Sequence, residues 1–460
     1  MGIARGNKVE LFEKTPVRIA LAKMALPTIM SQLITLIYNM ADTWFIGRTN
    51  NPYMVAASSL VLTIYLAVMA SANLFGVGGG TLAARLLGAK REDEARRAAS
   101  LSRVLAAFAS LVFSGLCAAF MEPLLRLLGA SEKTMGYAKE YLLYVVIIGA
   151  FPTVVSNTMA ALLRNVGYSR EAGTGLMYGG LLNMALDPLF MFVLLPDGRQ
   201  VAGAGIATML SNVFALGYFV WVYRRVRGDS VLELPRRVER VEPSSLKALF
   251  GVGIPAAMGM FLFDLTNMVI NRLSSGYGDT ALAAMGIVLK AERLAISTCV
   301  GICLGMIPLV AYNFSAKNYP RMKAFFSAAR TAGLVVSFTG LVLYRIFAAD
   351  LVRVFIAEPE TIMYGTQFLQ ARCFATPFMF LSFHMVHTMQ AIGKGRVSFA
   401  LAAIRQLGLN IPLLFVMNAL FGMKGIVWTQ VTADIINVMV SYVIYHAVCG
   451  KIFSAGGEAR

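Results

Sequence analysis

The sequence predicts an all-α polytopic membrane protein whose twelve transmembrane helices form two related six-helix bundles. Three observations carry that expectation. The 460-residue chain is 58% hydrophobic and 14% charged, whereas soluble domains carry about 25% charged residues. The apolar residues come in long blocks, many near the roughly 20 residues that a helix needs to cross the hydrocarbon core. Motifs in the first half also recur, in order, in the second.

The blocks place the spans at about 17–46, 54–84, 98–120, 136–163, 172–195, 202–224, 245–274, 281–314, 324–349, 363–392, 397–419 and 424–448. Several are longer than a simple crossing requires, which allows tilt or protrusion. An even count puts both termini on one side. Of the 41 Lys and Arg residues, 28 fall in loops on the side of the termini and nine on the other. Cytoplasmic loops collect Lys and Arg, so both termini are expected in the cytoplasm and the protein in the plasma membrane. The stretch to Lys14 is polar and lacks a short apolar core before a small-residue cleavage site, so no cleavable signal is expected. The longest polar stretch, Arg224 to Lys247, reads as a linker. The expected organisation is an amino-terminal lobe (1–224), a cytoplasmic linker (225–247) and a carboxyl-terminal lobe (248–460).

The repeat supports two lobes. Gly88–Lys90 (GAK) matches Ser315–Lys317 (SAK), and Leu26–Pro27 matches Ile254–Pro255. RNVGYSR from Arg164 matches QAIGKGR from Gln390, and GAGIAT from Gly203 matches MKGIVW from Met423. Six spans per half make both halves enter the membrane the same way. That implies parallel repeats about an axis along the membrane normal, with a substrate path between them.

The net charge of +17 does not point to nucleic acid. The cations sit in short alternating loops, with no arginine-rich tail and no interleaving of aromatic and basic residues. The five cysteines form no CxxC pair and read as small packing residues. HExxH and GxSxG motifs are absent, so no catalytic residue is assigned and an enzyme is a remote alternative. His384 and His387 have a spacing that can bind metal, but no third ligand stands nearby, and no metal or cofactor is expected.

Two aspartates sit where water should be absent. Asp42 follows the apolar run Met24–Met40, and Asp187 lies in GLLNMALDPLFMFVLL, with no Lys or Arg from Leu176 to Leu195. A charge at bilayer depth costs at least a few kcal/mol, so an intramembrane carboxylate marks a functional site by default. Tyr38, Asn39 and Asp42 fall within one turn, and Asn183 and Asp187 share a helix face at i,i+4. Asn157, Tyr141 and Thr208 sit in spans four and six, where they can converge on the acids if these helices form one bundle. Two carboxylates in a low-dielectric pocket cannot both ionise cheaply, and they titrate as a pair. Such a site holds a proton at one face of the membrane and releases it at the other. The same oxygens with an asparagine amide also suit Na⁺. Pro27, in the first span, marks a bend that can couple to the charge on Asp42. Asp264 is a second candidate site in the carboxyl half. Lys290, Glu292 and Arg293 read as a salt-bridged cluster. The spacings Gly76–Gly80, Gly175–Gly179 and Gly301–Gly305 suggest close helix packing.

Together these features resemble the multidrug and toxic compound extrusion (MATE) family. The twelve spans, the two six-helix halves, LP…YNMADTWFIG (Leu26 to Gly47), DPLF (Asp187 to Phe190) and GAGIAT carry the resemblance over nearly the whole chain. Within the family the sequence is most similar to DinF-like, archaeal-type members. The resemblance implies two lobes arranged in a V and alternating access. It also implies an amino-lobe pocket of Tyr38, Asp42, Asn183 and Asp187, with Asn157, Thr208 and Tyr141 beside them and Pro27 at the bend. The implied activity is cation-coupled antiport, with H⁺ ahead of Na⁺ as coupling ion, exporting a lipophilic and often cationic drug or toxic metabolite. A monomer in the lipid bilayer, with no nucleic-acid partner, is expected. The rival within the superfamily is a lipid-linked oligosaccharide flippase. It would want basic residues for a pyrophosphate, and Arg293, Arg372 and Arg405 keep it in play.

Overall fold

A computed structural model describes residues 5–228, 230–232 and 242–457; part of the expected linker lies outside these residues. The described residues are helical apart from loops and one isolated bridge between Arg227 and Ser230. A short helix α1 (Arg5–Glu13) precedes α2 (Val17–Gly47), α3 (Pro52–Gly88), α4 (Glu92–Ala119) and the short α5 (Met121–Leu127). Helix α6 (Glu132–Leu142) runs through a π-helical segment, Leu143–Ile148, into α7 (Ala150–Asn165), with a 43° bend. Helix α8 (Ser169–Leu189) ends in a second π-helical segment, Phe190–Leu194, before α9 (Gln200–Arg225). The second half contains α10 (Pro243–Ser274), α11 (Asp279–Ser315), α12 (Tyr319–Arg353), α13 (Pro359–Arg372), α14 (Thr376–Ala391) and α15 (Gly395–Ala403). A third π-helical segment, Ile404–Asn410, leads into α16 (Ile411–Gly457).

Local chemistry sets many of these ends. Asn51 caps α3, accepting from the Tyr53 amide, with Pro52 at the first helical position, where its missing N–H costs nothing. Ser131 and Thr134 form a reciprocal capping box at the start of α6, which satisfies two otherwise orphaned donors. Gly422, at φ 59, breaks α16.

Among the described residues, nine helical stretches are long and apolar enough to cross a membrane, and the bent pair α6–α7 makes a tenth. One of the nine, Gly395–Gly450, is 56 residues long. It covers the last two expected spans, which Gly422 divides. The remaining expected span coincides with α13 and α14. The all-α, multi-pass expectation therefore holds, with α1 and α5 as additional short helices.

The chain divides into two compact units. Unit 1 comprises Met1–Lys14 and Met30–Ala257, and unit 2 comprises Thr15–Ile29 and Met258–Arg460. The expected lobes, 1–224 and 248–460, differ from these units because each half lends the opening turns of its first long helix to the other. The border in α2 falls two residues after Pro27, and the border in α10 falls two residues after Pro255. Proline leaves the carbonyl four residues earlier without its helical donor. Beside that gap in α2, the Thr28 hydroxyl donates to the Met24 carbonyl at 2.9 Å.

Glycines make the lent turns fit. In unit 2, a Cβ on Gly301 would stand 2.8 Å from the Ile29 Cα, and one on Gly305 would stand 2.6 Å from the Ala25 Cα. In unit 1, a Cβ on Gly78 would stand 2.5 Å from the Leu249 carbonyl oxygen, and one on Gly253 would stand 2.2 Å from that of Leu74. The neighbour of Gly253 is backbone, which yields little. Gly253→Val is therefore expected to cost about 1–3 kcal/mol by overpacking. A thermal unfolding series on purified protein checks this, with Gly217→Ala, at a position with nothing within 4 Å, as the neutral comparison.

Candidate functional site

Of the polar residues expected to converge, Tyr38, Asp42, Tyr141, Asn183, Asp187 and Thr208 do so inside unit 1, whereas, among the described residues, Asn157 bonds only to its own helix. Small residues let the helices that carry them approach. At Gly180, α8 comes so near α2 that a Cβ would stand 2.9 Å from the Tyr38 ring. At Gly179, α8 meets Ala215 of α9, and at Gly175 it meets Phe219. At Gly205 of α9, a Cβ would stand 3.3 Å from the Tyr141 ring and 3.1 Å from the Tyr144 Cβ. Closely packed backbones leave little room for apolar filling, so the polar side chains of α2, α6, α8 and α9 face one another.

Asp187 is fully buried and Asn183 nearly so. The Asn183 amide donates to the Asp187 Oδ1 and to the Thr208 hydroxyl, both at 3.4 Å. Asp187 is followed by Pro188 and by the π-helical segment at 190–194. Such breaks in regular hydrogen bonding are frequent at functional sites. Asp42 lies near enough to Asp187 for the two charges to act on each other, and the Tyr141 hydroxyl lies within reach of Asp42. Tyr38 faces both acids.

Two residues not singled out in the sequence belong to the same cluster. Tyr65 of α3 lies beside Tyr38, Tyr141 and Asp42, with Thr153 of α7 next to it. The Thr153 carbonyl in turn accepts from the Asn157 amide at 2.9 Å. A buried tyrosine carries a polar tip that needs a partner, and that was the available signal for Tyr65. Thr153 carries no comparable mark in the sequence.

The charge pattern of the cluster is one-sided. Asp42 Oδ1, Asp187 Oδ2 and Asn183 Oδ1 are buried acceptors with no hydrogen-bond partner among the described residues. Buried acceptors left unmatched cost on the order of 1–3 kcal/mol each. Three of them together suit a proton shared between carboxyls, or a small cation.

The other candidates lie elsewhere. Asn39 is exposed, and its amide donates to the Thr35 carbonyl at 2.8 Å. Pro27 is fifteen residues before Asp42, about 22 Å along the helix axis, at the border between units. Asp264 belongs to unit 2 and pairs with Arg293 at 3.4 Å. The cluster expected at Lys290, Glu292 and Arg293 is not formed. Glu292 instead pairs with Arg372 through two contacts of 2.9 Å, because it projects into the bundle while its neighbours project outward. His384 and His387 do not share a ligand direction: their ring nitrogens meet the Phe326 and Phe383 carbonyls at 3.1 and 2.7 Å.

Comparison with known proteins agrees with this architecture. The MatE family model matches residues 27–189 and again 255–416, so its two copies begin at Pro27 and Pro255. The chain is 28% identical over 443 residues to the multidrug export protein MepA of Staphylococcus haemolyticus, covering 96% of each chain. It is 28% identical over 448 residues to MepA of Staphylococcus aureus (strain MSSA476), covering 97% of this chain and 98% of the relative. In fold it matches an outward-facing multidrug resistance MATE family transporter of the MOP superfamily with a TM-score of 0.89 at 20% identity, over 96% of this chain and 98% of that one. It matches a MATE in the straight conformation with a TM-score of 0.90 at 20% identity, over 97% and 99%. The two-fold match of one family model, each copy opening on the proline where a helix changes unit, places this chain in the MATE family of multi-pass membrane transporters, which are not enzymes.

Proposed function

We propose that this protein is a proton-coupled multidrug antiporter of the plasma membrane, a monomer with both termini in the cytoplasm. Its substrates are lipophilic and often cationic compounds, in keeping with the multidrug export named for its relatives. The observation that carries the coupling is the trio of buried, unmatched acceptor oxygens on Asp42, Asn183 and Asp187.

With the pocket open outward, Asp42 and Asp187 take up a proton. Neutralising the pair removes its repulsion and its desolvation cost. The helices can then close on the chamber and expel the drug. The bend at Pro27 supplies the movement, and the unit border two residues beyond it favours that hinge. With the pocket open inward, the proton leaves and a new substrate enters. One charge crossing 100 mV supplies about 2.3 kcal/mol, and one pH unit adds about 1.4 kcal/mol. One proton thus supports an uphill ratio of a few hundred for a neutral compound.

The same oxygens suit Na⁺, so the two ions are tested separately. Proteoliposomes carrying either a pH gradient or a Na⁺ gradient are given a fluorescent lipophilic cation. Uptake against its gradient under ΔpH alone is expected; uptake under Na⁺ alone would replace the proton with sodium. The flippase reading loses support because two of its three arginines are occupied. Arg372 is held by Glu292, and Arg405 by Asp434.

A further inference from the structure

Four arginines are buried among the described residues, and three of them have a visible partner. Arg372 and Arg405 are each held through two contacts by one carboxylate, and Arg103 lies over the Tyr223 ring at 4.8 Å. Arg164 is different. It is 7% exposed, and among the described residues its Nε has no hydrogen-bond partner and no carboxylate acts on it. It stands in the last turn of α7, where the carbonyls of the helix end carry partial negative charge. That charge makes the cation tolerable but does not neutralise it, and an uncompensated buried charge is strongly destabilising. Packing alone does not account for a cation here.

Its place in unit 1 points to a role. Helix α7 runs through the middle of the unit, packed by α3, α4, α8 and α9. Thr153, Asn157, Ala160 and Arg164 follow one another at spacings of four, three and four, which sets them on one face of the helix. That face begins at the acid cluster. The buried Thr153 hydroxyl, next to Tyr65, has no hydrogen-bond partner among the described residues. The face ends about 16 Å further along the axis at Arg164, on the side that the charge bias assigns to the cytoplasm. The internal repeat sets Gln390 against Arg164. The cation therefore belongs to the unit that holds the acid pair, and a neutral amide takes its place in the other.

We propose that Arg164 is the cytoplasmic plug of the coupling site. Its fixed positive charge bars protons and Na⁺ from passing along the Thr153–Asn157 face between the acid pair and the cytoplasm while the pocket is open outward. A guanidinium is always charged in a protein, so the barrier does not itself titrate. Membrane pores that exclude protons or cations use an arginine in the same way. Antiport needs such a barrier, because an ion that crosses with no substrate exchanged dissipates the gradient. The plug rests on the coupling reading of Asp42 and Asp187.

The test uses full-length protein in liposomes loaded with the pH dye pyranine, with no drug present. A pH gradient is imposed, potassium with valinomycin clamps the membrane potential, and the rate of collapse per inserted protein is read. R164Q is expected to speed the collapse about tenfold, the weight of one unit charge about 10 Å from a passing cation at an effective dielectric constant of about 20. R164K, which keeps the charge, should stay within about twofold of the original protein. R164Q/D187N should return to the original rate, because the leak runs through the acid pair. Loss of an unpaired buried charge should not unfold the protein, and R164M, neutral and of similar length, repeats the measurement should R164Q insert poorly. The original rate in both neutral variants would overturn the plug, even with a loss of thermal stability, since Arg164 would then serve the helix end alone. A collapse as fast in R164K as in R164Q, or as fast in R164Q/D187N as in R164Q, would overturn it as well. The coupling reading is judged by a different measurement, driven drug export by D187N with Arg164 in place, so the two failures are told apart.

Discussion

Asp187→Asn is expected to abolish gradient-driven export, by at least about 100-fold, while the protein remains in the membrane at its original level. Asparagine keeps the shape of the side chain and the acceptor facing the Asn183 amide, which approaches Asp187 Oδ1 at 3.4 Å. It cannot lose a proton, so the site is held in one charge state. Alternating access then has no switch, because a conformational equilibrium moves only through differential interaction with its two states. Folding should not suffer, since replacing a fully buried carboxylate by a neutral amide removes a desolvation cost. Asp42→Asn should behave alike, and the double variant should be no worse than either, because residues acting as a unit are not additive. Vesicle uptake with quantification of membrane-inserted protein reads both arms. Export retained in both single variants would remove the pair from the coupling mechanism. Substrate binding measured without a gradient should persist in each.

The second large effect concerns stability. Arg372→Met is expected to destabilise the protein by about 3–5 kcal/mol, the cost of stranding one buried charge of an ion pair. The pair is 2% and 6% exposed and bonded at 2.9 Å through both carboxylate oxygens. Glu292→Gln should act in the same direction. Glu292→Met combined with Arg372→Met should recover most of the loss, because an apolar pair of similar volume carries no desolvation penalty. Thermal unfolding in detergent reads all three variants. A double variant as unstable as the single ones would mean that the pair contributes more than mutual neutralisation. The same logic covers Arg405, held by Asp434, whose other oxygen also accepts from Gln430 at 2.6 Å.

Much of the site was legible in the chain. Asp42 and Asp187 stood out because a carboxylate in an apolar block is rare and costly, and that rarity is a local property. Asn183 followed from helical spacing. The convergence of Tyr38, Tyr141, Asn183 and Thr208 followed only if the first, fourth, fifth and sixth spans shared a bundle, and the packing at Gly180 and Gly205 brings those spans together. Tyr65 was hidden because one tyrosine among apolar neighbours looks like any interfacial aromatic. The charges of the second half were hidden for a different reason. Glu292 finds Arg372 eighty residues away rather than its immediate neighbours, since side chains two or three apart on a helix point in directions that the surrounding bundle selects.

Hydropathy, charge placement and the internal repeat by themselves determined that this is a helical, multi-pass membrane protein of two related halves. They also placed two acids of its first half within long apolar helices. The physical reason is that a low-dielectric solvent penalises each polar group where it stands, so the record is written residue by residue. Only the tertiary structure decided that the opening turns of α2 and α10 change units at Pro27 and Pro255, that tyrosines from three helices ring the acid pair, and that Arg372 and Arg405 are neutralised while Lys290 and Arg293 are exposed. Those outcomes depend on which helix faces meet, and that is settled by the packing of residues distant in the chain.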